Sequence, residues 1–103
     1  MWTTKDIEKI VTENPIVIFA KGTMEQPMCG FSHRAIHVMQ QVGKPFKVVN
    51  IFEDPSIRPA LVEYSKWPTT PQLFIQGELI GGSDIMLEMY ESGELQQKVA
   101  GVG

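Results

Sequence analysis

One cysteine carries the clearest chemistry in this sequence. Cys29 stands in the run Lys21-Gly22-Thr23-Met24-Glu25-Gln26-Pro27-Met28-Cys29-Gly30-Phe31-Ser32, directly after an apolar β-branched segment and directly before a helical pattern. A thiol at the first turn of a helix meets unpaired backbone N–H groups and the positive end of the helix dipole, and both favour the thiolate. The thiolate is the form that attacks disulfides and binds metals. Ser32 stands where a Cys-x-x-Cys motif would carry its resolving sulfur, and with one cysteine in the chain no internal disulfide can form. A free cysteine is often only a small buried hydrophobe; here the position and neighbours favour a reactive thiol.

Two histidines compete for attention. Cys29, His33 and His37 fall at i, i+4 and i+8, along one side of the expected helix. Tetrahedral zinc wants four ligands and histidines on a solvated face are commonplace, so these two read as surface residues. The methionines Met24, Met28, Met39, Met86 and Met89 are spread through loop and helix and read as gap-fillers rather than a soft-metal site.

The elements that must position the thiol follow from periodicity. Ile7, Ile10 and Val11 recur at helical spacing behind N-cap candidates and stop at Asn14-Pro15, which predicts a helix over 4–13. Ile16-Val17-Ile18-Phe19-Ala20 is a short continuous apolar run rich in β-branched residues, as expected of a central strand covered on both faces. A loop over 22–28 then leads into a second helix from Gly30, with Phe31, Ala35, Val38, Met39 and Val42 periodic until Gly43 supplies the stop. Phe46 to Ile51 reads as a strand, completing a parallel crossover unit. A short third helix starts near Ile57 with Pro59 in its first turn. Gln72 to Ile75, Gln76-Gly77 and Glu78 to Ile80 read as a hairpin. Ser83 or Asp84 is placed to cap a last helix that Gly93 closes, before Glu94 to Val99.

Composition sets the outer limits. The chain of 103 residues, 43% of them hydrophobic, suits one domain over 1–103 that buries a core without disulfides. A net charge of −3 offers no broad cationic surface, which argues against nucleic acid or an anionic membrane as partner. No apolar run is long enough to span a bilayer, and the first residues lack the character of a signal or transit peptide. With its free cysteine, the chain is expected to be a soluble protein of the cytoplasm, a mature organellar matrix protein being the alternative.

The predicted order describes an α/β chain with a mixed four-stranded sheet and helices on both faces, the layout of the thioredoxin fold. Four motifs in that order, Lys21-Gly22-Thr23, Cys29-Gly30-Phe31-Ser32, Trp67-Pro68-Thr69-Thr70-Pro71-Gln72 and Gly81-Gly82-Ser83-Asp84, resemble those of the monothiol glutaredoxins of the Cys-Gly-Phe-Ser type. The resemblance covers nearly the whole chain. It implies roles for residues that local rules leave open. Lys21, otherwise a plain surface lysine, would lie beside the thiol, stabilise the thiolate and attract a carboxylate of glutathione. The Thr70–Pro71 bond would be cis and would expose Thr70's backbone to the cysteinyl unit of glutathione as a pseudo-strand. Ser83 and Asp84, which also read as an ordinary helix cap, would take the γ-glutamyl end, and Arg58 the other carboxylate. Trp67, plausible as packing alone, belongs in the family to a loop near the active site. Many relatives carry a cysteine where this chain has Ser83, so no disulfide through that position is available here.

Two functions follow from the resemblance. The first is a carrier of an iron–sulfur cluster: Cys29 from each of two protomers and the thiols of two glutathiones would ligate one 2Fe-2S cluster in a symmetric homodimer, serving storage, transfer and assembly. Iron–sulfur apoproteins and a BolA-like protein are the partners this implies. The second is a glutathione-dependent thiol-disulfide oxidoreductase in which Cys29 attacks a mixed disulfide and a second glutathione resolves it. Proteins with this box are generally poor in that reaction, which places the carrier first and leaves any enzymatic role weak.

Overall fold

The structure, a computed structural model, describes residues 1–102. Helix α1 (Thr4–Glu13) opens on a capping box, in which the Thr3 N–H donates to Asp6 Oδ2 at 2.7 Å. Strand β1 (Ile16–Ala20) follows, fully buried along its length. Helix α2 (Gly30–Val42) ends at Gly43 in the left-handed conformation, whose N–H donates to the Met39 carbonyl. Strand β2 (Lys47–Asn50) is shorter than the pattern Phe46 to Ile51 suggests. The Asn50 side chain accepts the Phe52 N–H at 2.9 Å and folds residues 51–53 into a 3-10 turn. Helix α3 (Ile57–Ser65) holds Pro59 in its first turn, where a missing N–H costs no helical bond.

Strands β3 (Gln72–Ile75) and β4 (Glu78–Gly81) form the expected hairpin, and both turn residues, Gln76 and Gly77, have positive φ. Helix α4 (Ser83–Ser92) is followed, after the left-handed Gly93, by a fifth helix that the periodicity does not announce, α5 (Glu94–Ala100). With Leu95 and Val99 as its only buried positions, a seven-residue helix is too short to show a repeat.

The sheet order is β2-β1-β3-β4, with β1 parallel to β2 and antiparallel to β3, and β3 antiparallel to β4. Side-chain alternation along β1 explains its continuous apolar run. Ile16, Ile18 and Ala20 join Leu73 and Ile75 in the core beneath α2, α4 and α5, while Val17 and Phe19 join Phe74 in the core beneath α1 and α3. Phe19 and Phe74 pack edge to face with ring centroids 5.7 Å apart. The central strands thus end, on one edge of the molecule, at Lys21 after β1 and at Pro71 before β3. No helix is long and apolar enough to cross a membrane among the described residues.

Candidate functional site

Cys29 is the N-cap of α2, with extended backbone at φ −153° and ψ 156°. Its sulfur accepts the Ser32 N–H at 3.3 Å, the bond an N-cap oxygen would ordinarily take. Ser32 is fully buried, and its hydroxyl oxygen lies 3.2 Å from the sulfur while accepting the Lys21 N–H at 3.0 Å. A backbone N–H can only donate, so the single hydroxyl proton of Ser32 is left for the sulfur. The thiol donates to Ser32 Oγ; once ionised, it receives that proton's hydrogen bond instead.

Burial pushes the Cys29 thiol up, but it is outweighed. The Ser32 hydroxyl, the backbone N–H groups of Ser32 and Phe31, and the charge of Lys21 together hold it below the usual 9.0. The loop before it is tightly closed: Met28 N–H donates to the Lys21 carbonyl at 2.8 Å and Thr23 N–H to the Gln26 carbonyl at 3.1 Å. Gly22 makes this possible with φ +100°, and a Cβ there would sit 2.7 Å from the Met28 nitrogen. Its N–H donates to Asn50 Oδ1 at 3.0 Å, tying the loop to the end of β2.

Beside the thiol runs a cleft of about 550 Å³, within the size range of small-molecule sites. Five of the six predicted site residues, Lys21, Arg58, Thr70, Ser83 and Asp84, line it, together with Phe31, Trp67, Thr69, Pro71, Gly82 and Ile85. Cys29 does not line this cleft. It sits in an adjoining open depression with Pro27, Met28, Gly30 and His33. Phe31 joins the two, its side chain on the cleft and its N–H acting on the sulfur. His33 and His37 are exposed, their ring centroids 6.4 Å apart.

At one end of the cleft the Thr70–Pro71 peptide bond is cis, as the resemblance implies. Arg58 reaches the Pro68 carbonyl with Nη2 at a long 3.4 Å and is otherwise exposed. At the other end, the expectation that Ser83 or Asp84 caps α4 needs correction, because the N-cap is Gly82. Gly81 has φ +145° with Ile85 packed against its Cα, and a Cβ on Gly82 would lie 3.4 Å from the Pro71 carbonyl. Two glycines turn the chain so sharply that the helix begins one residue early. Ser83 becomes the first helical residue and is buried, while Asp84 follows it, exposed. The N–H groups of Ser83, Asp84 and Ile85 then head the helix without intrahelical partners, beside the cleft. Asp84 also meets Arg34 of α2 at 3.6 Å, a solvent-exposed pair of small energetic weight.

Sequence reasoning missed the buried hydroxyl of Ser32, taken only as the absence of a second cysteine, although its place three residues after an N-cap was a usable signal. It also missed Arg34, which only the packing of α2 on α4 brings to Asp84.

Comparison with known proteins agrees with this geometry. The glutaredoxin family model matches residues 16–80. Glutaredoxin 4 of Haemophilus influenzae is 50% identical over 102 residues, covering 99% of this chain and 95% of that protein. An uncharacterized monothiol glutaredoxin of Synechocystis is 44% identical over 95 residues, covering 92% and 89%. Among solved structures, a buckwheat glutaredoxin-glutathione complex superposes with a TM-score of 0.81 at 26% identity, covering 92% of this chain and 84% of that one. Fold, motif order and a lone activated thiol agree with these matches: the chain belongs to the glutaredoxin family, as a monothiol member.

Proposed function

We propose that this glutaredoxin binds glutathione in the cleft and, as a homodimer, carries a bridging 2Fe-2S cluster for storage and transfer to apoproteins. The observation that carries the reading is one activated thiol per chain beside a peptide-sized cleft. A cluster held by thiolates needs four of them, and two chains with two glutathiones supply that number. The ligand's chemistry suits the lining. Glutathione bears two carboxylates and an ammonium; Lys21 and Arg58 offer cations, and the free N–H groups of α4 with Asp84 offer complementary partners for an amino-acid end. The cleft wall also contains two buried polar atoms without partners, Trp67 Nε1 and Thr70 Oγ1, and a glycine, Gly82, whose Cβ would fill space against Pro71. These features favour a polar, hydrogen-bonding occupant. The buckwheat complex adds that a protein of this fold binds glutathione.

A second reading rests on the lowered thiol in an open depression. The Cys29 thiolate attacks the glutathione sulfur of a mixed disulfide, forming a Cys29–glutathione disulfide and expelling the protein thiolate, which takes up a proton. A second glutathione thiolate then regenerates Cys29 and leaves as oxidised glutathione. Anaerobic reconstitution with iron, sulfide and reduced glutathione, read by visible absorption and size exclusion, separates the two. A coloured dimer that forms only with glutathione supports the carrier; a colourless monomer with rapid turnover of a glutathione mixed disulfide supports the exchange enzyme.

A further inference from the structure

Gln72 is the polar residue in a strand whose other members, Leu73, Phe74 and Ile75, are apolar, and it is fully buried. Its side-chain nitrogen donates to the carbonyls of both Trp67 and Thr69 at 2.9 Å, using both of its hydrogens. Both neighbours are acceptors, so the amide cannot be turned the other way. Its oxygen is left buried without a partner, a cost an apolar strand residue would avoid. The two bonds pin the loop that crosses from α3 to the mouth of the cleft.

The consequence lies in peptide geometry. The Thr69–Thr70 bond is trans, so the Thr69 carbonyl and the Thr70 N–H point in opposite directions across one plane. Holding that carbonyl against buried Gln72 turns the Thr70 N–H away from the core, at a residue that lines the cleft. We propose that Gln72 is a positioning residue that fixes the Trp67–Thr70 loop and aims the Thr70 N–H at the bound ligand. This deepens the reading of the cleft as a glutathione site and rests on it. Gln72 touches no ligand itself; it acts through two backbone carbonyls.

The test compares wild-type protein with Gln72→Met, which keeps the length of the side chain and removes both donors. Calorimetry with reduced glutathione is expected to show at least tenfold weaker binding. At saturating glutathione the Thr70 amide is expected to exchange faster in the variant than in wild type, while the amides of Ile7 and Val11, in α1, keep their protection. Binding within twofold of wild type overturns the inference alone, as does a loss of protection shared equally by α1, which would make Gln72 merely structural. Wild-type protein that binds no glutathione overturns the reading of the cleft and this inference with it. Should Gln72→Met fail to fold, wild-type protein decides: saturating glutathione is expected to slow Thr70 amide exchange at least tenfold, and an unprotected Thr70 amide contradicts the assignment.

Discussion

Replacing Ser32 by alanine removes one hydroxyl with two duties. Its oxygen accepts the Lys21 N–H and its proton serves the Cys29 thiolate. A hydrogen bond to an ionised group contributes about 1.5–3 kcal/mol, and the partial exposure of Cys29 places this one at the low end. Losing a donor to the charged form raises the thiol's pKa. About 1.4 kcal/mol corresponds to a roughly tenfold smaller thiolate fraction wherever both thiols are mostly protonated. The more basic thiolate is also the better nucleophile, with a Brønsted slope of about 0.4–0.5, which returns roughly threefold of that loss. Alkylation of Ser32→Ala by iodoacetamide at a pH below the titration of both thiols should therefore be about three- to fourfold slower than wild type. Well above the usual 9.0, where both thiols are ionised, the variant should be about threefold faster. The two pH–rate profiles must cross. Superimposable profiles, or a variant slower at every pH, would refute the assignment of Ser32 as the donor that favours the thiolate. Urea denaturation of the same variant should show a loss of about 1–3 kcal/mol for the orphaned Lys21 N–H.

Other consequences are simpler. Gly22→Ala places a Cβ at φ +100° and 2.7 Å from the Met28 nitrogen; it should destabilise the protein by about 1–3 kcal/mol in urea and loosen the loop before Cys29. Lys21→Ala and Asp84→Ala should each weaken glutathione binding by calorimetry, Asp84→Ala by only about two- to fivefold because its carboxylate is exposed and pairs with Arg34. Cys29→Ser should abolish cluster assembly in anaerobic reconstitution, whereas His33→Ala and His37→Ala, on an exposed face, should retain it with unchanged absorbance.

The readable parts of this chain are those where one local rule suffices. The run Ile16 to Ala20 announces a strand buried on both faces because both cores take apolar side chains from it. Gly43 and Gly93 mark helix ends because the left-handed conformation required there suits glycine. Cys29 is legible as a helix cap, and the five cleft residues predicted by resemblance do converge on one cleft. What escaped depends on tertiary contact. Gly82 rather than Ser83 caps α4 because the chain passes close to Pro71, which no local pattern records. Gln72 reads in sequence as the polar start of a strand; its value lies in two carbonyls reached only once the loop folds over it. Arg34 meets Asp84 across two helices whose packing the sequence does not display.

The proposed carrier is defined by a stoichiometry of two chains and two glutathiones around one cluster. Native mass spectrometry of the anaerobically reconstituted protein measures it directly. The predicted species is a dimer carrying two irons, two sulfides and two glutathiones, which falls to apo monomer when glutathione is removed. A cluster-bearing species without glutathione, or iron retained by a monomer, would contradict the account.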